Sequence, residues 1–325
     1  MLSGEHHDQT IFFDHHLCRI CARDDAASCD ADMAIIGVPY LSPYPTQKSY
    51  DSQNAVSAIR QASLTYRKID HFDFDFGGSL LGESAARCVD GGDLVRGSES
   101  FEAYSRTITQ TIGEMLVRGT VPIVIGGDHG TTIPVLRAYE DIVDLCVVQI
   151  DAHLDWVDER DGIEDGFSSP MRRASEMPWV SAVVQIGLRG QGSARQKEYD
   201  DAVACKKSLL VKAEELHAQG IESVLKHIPD TRGYYLTVDA DGLDPSIAPG
   251  VAYPTPGGVT YYQLLNLMRG LAAKGAMLGM DFVEVVPEND VANLTSLFAA
   301  RQILNFMGVV AHSAHFSPKT PDRQA

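Results

Sequence analysis

The chain has 325 residues, 44% of them hydrophobic, enough to bury a large α/β core. Its formal charge of −17 disfavours nucleic-acid backbones and anionic membranes as partners and leaves cationic small molecules favoured. Cys18, Cys21, Cys29, Cys88, Cys146 and Cys205 are too sparse for a disulfide scaffold, and neither an apolar run of about 18 residues nor a signal-like leader at Met1 is evident, so a reduced, cytoplasmic protein is expected.

Residues 1–30 are polar and irregular, carrying His6, His7, His15, His16 and a Cys18-x-x-Cys21 pair. They read as an extension ahead of a single domain over 31–325, and one cysteine pair is half of a usual zinc set. Met33–Val38 is the first apolar run of strand length, followed by helical spacing over Ser52–Arg67 and an alternating candidate strand at Phe72–Phe76. Phe101–Arg118 and Thr131–Tyr139 have helical spacing on either side of a strand at Val121–Ile125. Further buried strands are expected at Leu145–Ile150, Ala182–Ile186, Ser208–Val211, Tyr234–Val238 and Met277–Met280, with helices at Lys212–His227, Tyr261–Lys274 and Asp290–Met307. Short apolar strands alternating with helices predict one parallel sheet of seven or eight strands covered on both faces, with functional residues just beyond the carboxyl ends of the strands.

Three of those ends carry the same residue types. Val121–Ile125 runs into Gly126-Gly127-Asp128-His129, Leu145–Ile150 into Asp151-Ala152-His153-Leu154-Asp155, and Tyr234–Val238 into Asp239-Ala240-Asp241. In extended backbone the i, i+2, i+4 spacing turns Asp151, His153 and Asp155 toward one side, and Asp239 and Asp241 share that geometry. Four carboxylates at one mouth would raise one another's pKa, so the cluster needs cations to stay ionised, and two divalent ions balance its charge. Carboxylate and imidazole without cysteine suit Mn(II), tolerate Ni(II), Co(II) or Fe(II), and argue against structural zinc.

These motifs, with Asp239-Ala240-Asp241-Gly242-Leu243-Asp244-Pro245, Ala248-Pro249-Gly250, Pro256-Gly257-Gly258 and Gly279-Met280-Asp281-Phe282-Val283-Glu284-Val285-Val286-Pro287, resemble the ureohydrolases, the arginases and agmatinases, and more closely the agmatinase branch. The landmarks run in family order from about Ile35 to Met307. The resemblance implies a three-layer α/β/α fold around an eight-stranded parallel sheet, a binuclear metal centre and assembly into trimers or hexamers, with a mixed oligomer as a further possibility. It would place one ion on His129, Asp151, Asp155 and Asp239 and the other on Asp151, His153, Asp239 and Asp241. Glu284 would accept guanidinium N–H bonds, and Asp155 would also carry a proton to the leaving amine.

Three departures bear on substrate. Where agmatinase-like members often place a histidine, this chain has Phe167, in Gly166-Phe167-Ser168-Ser169-Pro170-Met171-Arg172-Arg173. Phenylalanine moves no proton; it could form an apolar wall or offer its face to a cation. A loop usually rich in Gly and Thr reads Gly250-Val251-Ala252-Tyr253-Pro254, and the Gly-Pro before the first helix is replaced by Asn54-Ala55. Phe167, Ser169 and Tyr253 are therefore the substrate-binding candidates, with a small or N-alkylated guanidine or a biguanide expected. The alternatives are a formimino or amide C–N hydrolase of the same fold, for which Arg172, Arg173 and Arg189 could supply positive charge, or a non-catalytic subunit.

Overall fold

The computed structural model describes residues 31–44 and 52–319. Within them β1 (Met33–Val38), β2 (Cys88–Asp93), β3 (Val121–Gly126), β4 (Leu145–Ile150), β5 (Val180–Leu188), β6 (Ser208–Lys212), β7 (Gly233–Asp239) and β8 (Ala276–Val283) form a single sheet. The order is β2-β1-β3-β8-β7-β4-β5-β6, with every neighbouring pair parallel. The crossovers contain α1 (Ala55–Ser63), α2 (Phe101–Val117), α3 (Thr132–Arg137), α4 (Pro170–Glu176), α5 (Gln196–Ala204), α6 (Ala213–Gln219), α7 (Ile221–His227) and α8 (Tyr261–Lys274), and α9 (Leu294–Ala311) follows β8.

Strand alternation divides the core in two. Met33 and Ile35 of β1 join a cluster with Ile59 of α1, Leu271 of α8 and Ile303 of α9, while Ala34, Ile36 and Val38 join Ile108 of α2, Leu136 of α3 and Met171 of α4 on the opposite face. With both faces covered, the strands are nearly continuous apolar runs. The result is the three-layer α/β/α fold. α9 is long and apolar enough by composition to cross a membrane, at mean hydropathy 1.3, although Arg301, Gln302 and Asn305 interrupt it; 78% of that window is buried in the core.

Several elements differ from expectation. Phe72–Phe76 is a turn closed by an isolated bridge between Asp73 and Gly78, and it leaves Phe74 92% exposed. The eighth strand is instead Cys88–Asp93, held at the sheet edge by Arg60 of α1, whose Nε and Nη2 donate to the two Asp90 carboxylate oxygens at 2.8 Å each. The helix expected over Lys212–His227 breaks at Gly220, whose φ of 78° no helix accommodates. α9 begins at Leu294 rather than Asp290, because the Asp290 carboxylate accepts the Thr295 and Ser296 N–H groups from outside the helix. The short α4 and α5 were not expected. The expectations for residues 1–30, including Cys18 and Cys21, lie outside the described residues.

The chain order fixes the position of the site. β3 to β4 skips two places in the sheet, and β7 and β8 later fill the gap, so β3, β8, β7 and β4 are neighbours. Their carboxyl ends lead into His129, Glu284, Asp239 and Asp151, the crevice where open α/β sheets bind ligands.

Candidate metal centre and substrate cavity

His129 opens a short turn after β3, reached through Gly127, where any Cβ would run into the Tyr40 carbonyl oxygen. Its Nδ1 lies 3.1 Å from Asp151 Oδ2, 2.9 Å from Asp155 Oδ2 and 3.1 Å from Asp239 Oδ2. None of these contacts has hydrogen-bonding geometry, so Nδ1 is a buried polar atom without a hydrogen-bond partner among the described residues. On the other side of the ring, Nε2 is 3.0 Å from Thr237 Oγ1. Thr237 gives its single proton to Asp281 Oδ1 at 2.5 Å, so it must accept from Nε2–H. That fixes the tautomer and leaves the Nδ1 lone pair facing the three carboxylates, the arrangement a cation requires.

Asp151 is held from both sides. Gln149 Nε2 donates to its Oδ2 at 2.5 Å and the His153 N–H to its Oδ1 at 2.6 Å. Gln149 is held in turn by Gln185 Nε2 at 2.6 Å, directly across the β4–β5 pair. His153 Nδ1 is 3.1 Å from Asp241 Oδ2 and 3.6 Å from Asp151 Oδ1. Asp239 Oδ1 accepts the Asp241 N–H at 2.8 Å. Two donor groups therefore share Asp151: His129, Asp151 and Asp155 in one, Asp151, His153 and Asp241 in the other.

Asp155 and Glu284 both have positive φ, 49° and 63°, a strained conformation for residues with a Cβ. The Asp155 carbonyl accepts the Met171 and Arg172 N–H groups at the start of α4, at 3.2 and 3.3 Å. Glu284 Oε1 accepts the His129 N–H at 2.8 Å, and the Glu284 N–H donates to Gly127 O at 2.8 Å.

The electrostatics are those of a site built for positive charge. Burial, then mutual repulsion, raises the Asp151 and Asp239 carboxyls well above the ordinary range, and burial with Asp239 and Asp128 does the same to Glu284. Burial opposes charging His153, yet Asp241 and Asp151 push it up to about 10. Burial likewise opposes charging His129, and Asp151, Asp155 and Asp239 still raise it well above normal. The shared cause of these shifts is negative charge crowded together without a counter-charge, and the oxygen–nitrogen donor set fits divalent cations.

Above the cluster opens a cavity of about 380 Å³. Asp128, Asp155, Asp239, Asp241 and Glu284 give it an acidic floor, Tyr44, Phe167 and Tyr253 line it with rings, and among the described residues Arg160 is the one Arg or Lys lining it. A model of the arginase family matches residues 31–308. The chain belongs to the arginase family. It is 33% identical over 229 residues to a guanidinobutyrase of Pseudomonas aeruginosa, a match covering 68% of this chain and 70% of the relative. It is 30% identical over 295 residues to a guanidinopropionase of the same organism, covering 87% of each. Among solved structures, the agmatine ureohydrolase of Thermoplasma volcanium superposes with a TM-score of 0.72 at 26% identity, covering 88% of this chain and 93% of that one. An agmatinase-like member of the arginase family, the chain is a hydrolase of C–N bonds in linear amidines.

As an arginase-family chain it brings His129, Asp151, His153, Asp155, Asp239 and Asp241 together as the motifs required. Glu284, Phe167 and Tyr253 line the cavity. Ser169 does not: it is fully buried at the start of α4, and its neighbour Ser168 shares a 2.7 Å hydrogen bond with the Tyr44 hydroxyl. Arg172 and Arg173 pair with Asp158 and Glu176 and do not line the cavity. Arg189 does not line the cavity and makes no ion pair among the described residues; it donates to the carbonyls of Gly187, Asp241, Gly242, Leu243, Thr255 and Pro256, tying the loop after β5 to the loop after β7. Trp156 is core, 1% exposed.

Sequence reasoning missed Arg160, Tyr44 and the supporting residues Gln149, Gln185, Thr237 and Asp281. The strand polars had a signal: Gln149, Gln185, Thr237 and Asp281 interrupt apolar runs, and all four are fully buried. Arg160 had one too, as the residue before Asp161-Gly162, a tight-turn pair.

Proposed function

We propose that this chain hydrolyses a guanidino compound to urea, or a urea-like product, plus an amine, using two divalent cations. His129, Asp151, Asp155 and Asp239 would hold one, and Asp151, His153, Asp239 and Asp241 the other. The observation that carries this reading is the buried His129 Nδ1, without a hydrogen-bond partner among the described residues and with three carboxylate oxygens within 3.1 Å. Such a pair, when bound, supplies Lewis acidity that makes water a nucleophile at neutral pH and stabilises developing negative charge.

The chain's own residues do the rest. Glu284, held by the His129 N–H, accepts N–H bonds of the substrate guanidinium through its remaining lone pairs and sets that group over the cluster. Water forms a C–O bond at the guanidinium carbon and gives a proton to Asp155, a C–N bond breaks, and Asp155 passes that proton to the departing nitrogen. Phe167 lines the cavity and moves no proton, so Asp155 carries that transfer without histidine assistance from this position. Mn(II) or Ni(II) as the ion, assembly into trimers or hexamers, and a cytoplasmic location belong to the same reading and rest on the family resemblance.

The second reading, hydrolysis of a formimino C–N bond in an acidic substrate, is favoured by one observation, the presence of Arg160 in the cavity. A panel assay separates the two. Protein loaded with Mn(II), Ni(II) or Co(II) is offered arginine, agmatine, guanidino acids, N-alkylguanidines, a biguanide and formiminoglutamate, with urea, ammonia and amine measured separately. Urea from a guanidino compound is the expected result; turnover of formiminoglutamate alone would overturn the proposal.

A further inference from the structure

We propose that Arg160 is a carboxylate-binding residue that selects ω-guanidino acids, compounds with a guanidinium at one end and a carboxylate at the other. The inference rests on the guanidino-hydrolase reading above and adds the chemistry of the substrate's far end.

Arg160 is held in place by its own turn. Its N–H donates to Ile163 O at 3.0 Å and its carbonyl accepts the Ile163 N–H at 2.9 Å, around Asp161 and Gly162 with φ of 55° and 79°. Two consecutive positive φ values are the mark of the tight mirror-image turn that Asp-Gly favours, so the base of the turn is stiff. The guanidinium carbon stands 5.1 Å from the Tyr44 ring centre and 5.8 Å from that of Phe167, rings that themselves meet edge to face at 4.9 Å. The cation on the Phe167 ring is therefore the protein's own.

Four other arginines on neighbouring segments are committed elsewhere: Arg137 to Asp165, Arg172 and Arg173 to Asp158 and Glu176, Arg189 to backbone carbonyls. Among the described residues no carboxylate or carbonyl lies within ion-pair or hydrogen-bond reach of the Arg160 guanidinium, although the chain is acidic overall. Aromatic contacts hold the guanidinium while leaving its N–H groups available, and a planar fork of donors matches a carboxylate. A distal ammonium, as in agmatine, would meet a like charge there; an uncharged alkyl tail would leave the fork without a partner. Beside the small or N-alkylated guanidine or biguanide expected from the sequence, this subsite favours a guanidine with an acid-terminated tail.

The test uses the full chain loaded with Mn(II), comparing a guanidino acid such as 4-guanidinobutyrate with agmatine and N-butylguanidine, tails of similar length and different charge. The wild type should prefer the acid. Arg160→Met should lower kcat/KM for the acid by roughly 10- to 100-fold, mainly through KM, as expected for loss of a hydrogen bond to a charged group, and lower it far less for N-butylguanidine. Arg160→Lys should recover part of the loss, and calorimetric titration of the acid should show the same ranking. Equal loss for all three substrates, or a wild type that prefers agmatine or N-butylguanidine, would overturn the carboxylate subsite alone. No turnover of any guanidine would overturn the hydrolase reading beneath it as well.

Discussion

The backbone N–H of His129 donates to Glu284 Oε1 at 2.8 Å, joining the end of β3 to the end of β8. The residue that presents an imidazole to the carboxylate cluster thus also positions the carboxylate proposed to receive the substrate guanidinium. Glu284→Gln keeps an acceptor for His129 and loses the charge. Metal content should stay the same, while kcat/KM falls by about 1.5–3 kcal/mol of transition-state stabilisation, roughly 10- to 100-fold. Metal analysis beside steady-state kinetics checks both halves; loss of metal would show that Glu284 belongs to the cation site instead.

Thr237 sets the His129 tautomer by giving its proton to Asp281, whose other oxygen accepts from Thr132 Oγ1 at 2.9 Å and Tyr235 OH at 2.7 Å. Thr237→Val conserves volume and removes the acceptor for His129 Nε2. Affinity for Mn(II), measured with a competing chelator, should fall by about 10- to 100-fold, the usual effect of removing a group that orients a ligating histidine. Unchanged affinity would mean that the tautomer is set elsewhere.

The strands were legible because a parallel sheet buried on both faces must be apolar at almost every position. Cys88–Asp93 escaped notice for the converse reason: Cys-Val-Asp-Gly-Gly-Asp has two apolar residues, and a long-range ion pair with Arg60 stabilises it. Phe72–Phe76 misled because alternating Phe and Asp mimics a half-buried strand, whereas Asp73 and Asp75 instead bind Arg301 of α9, Phe72 and Phe74 lie outside and only Phe76 packs on the core. The convergence of the Asp and His residues could be read from spacing along strand ends; the place of Arg160 could not, because it reaches the cavity through a turn whose packing on Tyr44 joins segments more than a hundred residues apart.

That edge strand gives a stability prediction. Arg60 is 7% exposed and Asp90 4%, so Arg60→Met leaves a buried carboxylate without its cation. Denaturant unfolding should show a loss of about 3–5 kcal/mol, the usual cost of breaking a buried pair from one side. The double change Arg60→Met with Asp90→Leu should recover much of it, and a loss below 1 kcal/mol would remove the ion pair as the account of this strand.

The raised titrations make metal-free stability pH-dependent. A group whose folded pKa lies above its unfolded value contributes stability at low pH that is lost as pH rises through the folded value. His153, ordinarily near 6.5, is pushed up to about 10, and Asp151 and Asp239 are raised in the same sense. The Tm of metal-free protein should therefore fall as pH rises between 6.5 and about 10, and saturating Mn(II) should raise Tm most at the alkaline end of that window. A metal-induced shift that is largest in acid would have the wrong sign.

The metal-to-chain ratio of catalytically active protein tests the central claim most directly, measured by elemental analysis after loading and removal of free ion. The account predicts two divalent ions per chain, falling together with turnover in Asp151→Ala, because Asp151 belongs to both donor groups. Full activity with fewer than two ions, or with Asp151 replaced, would contradict it.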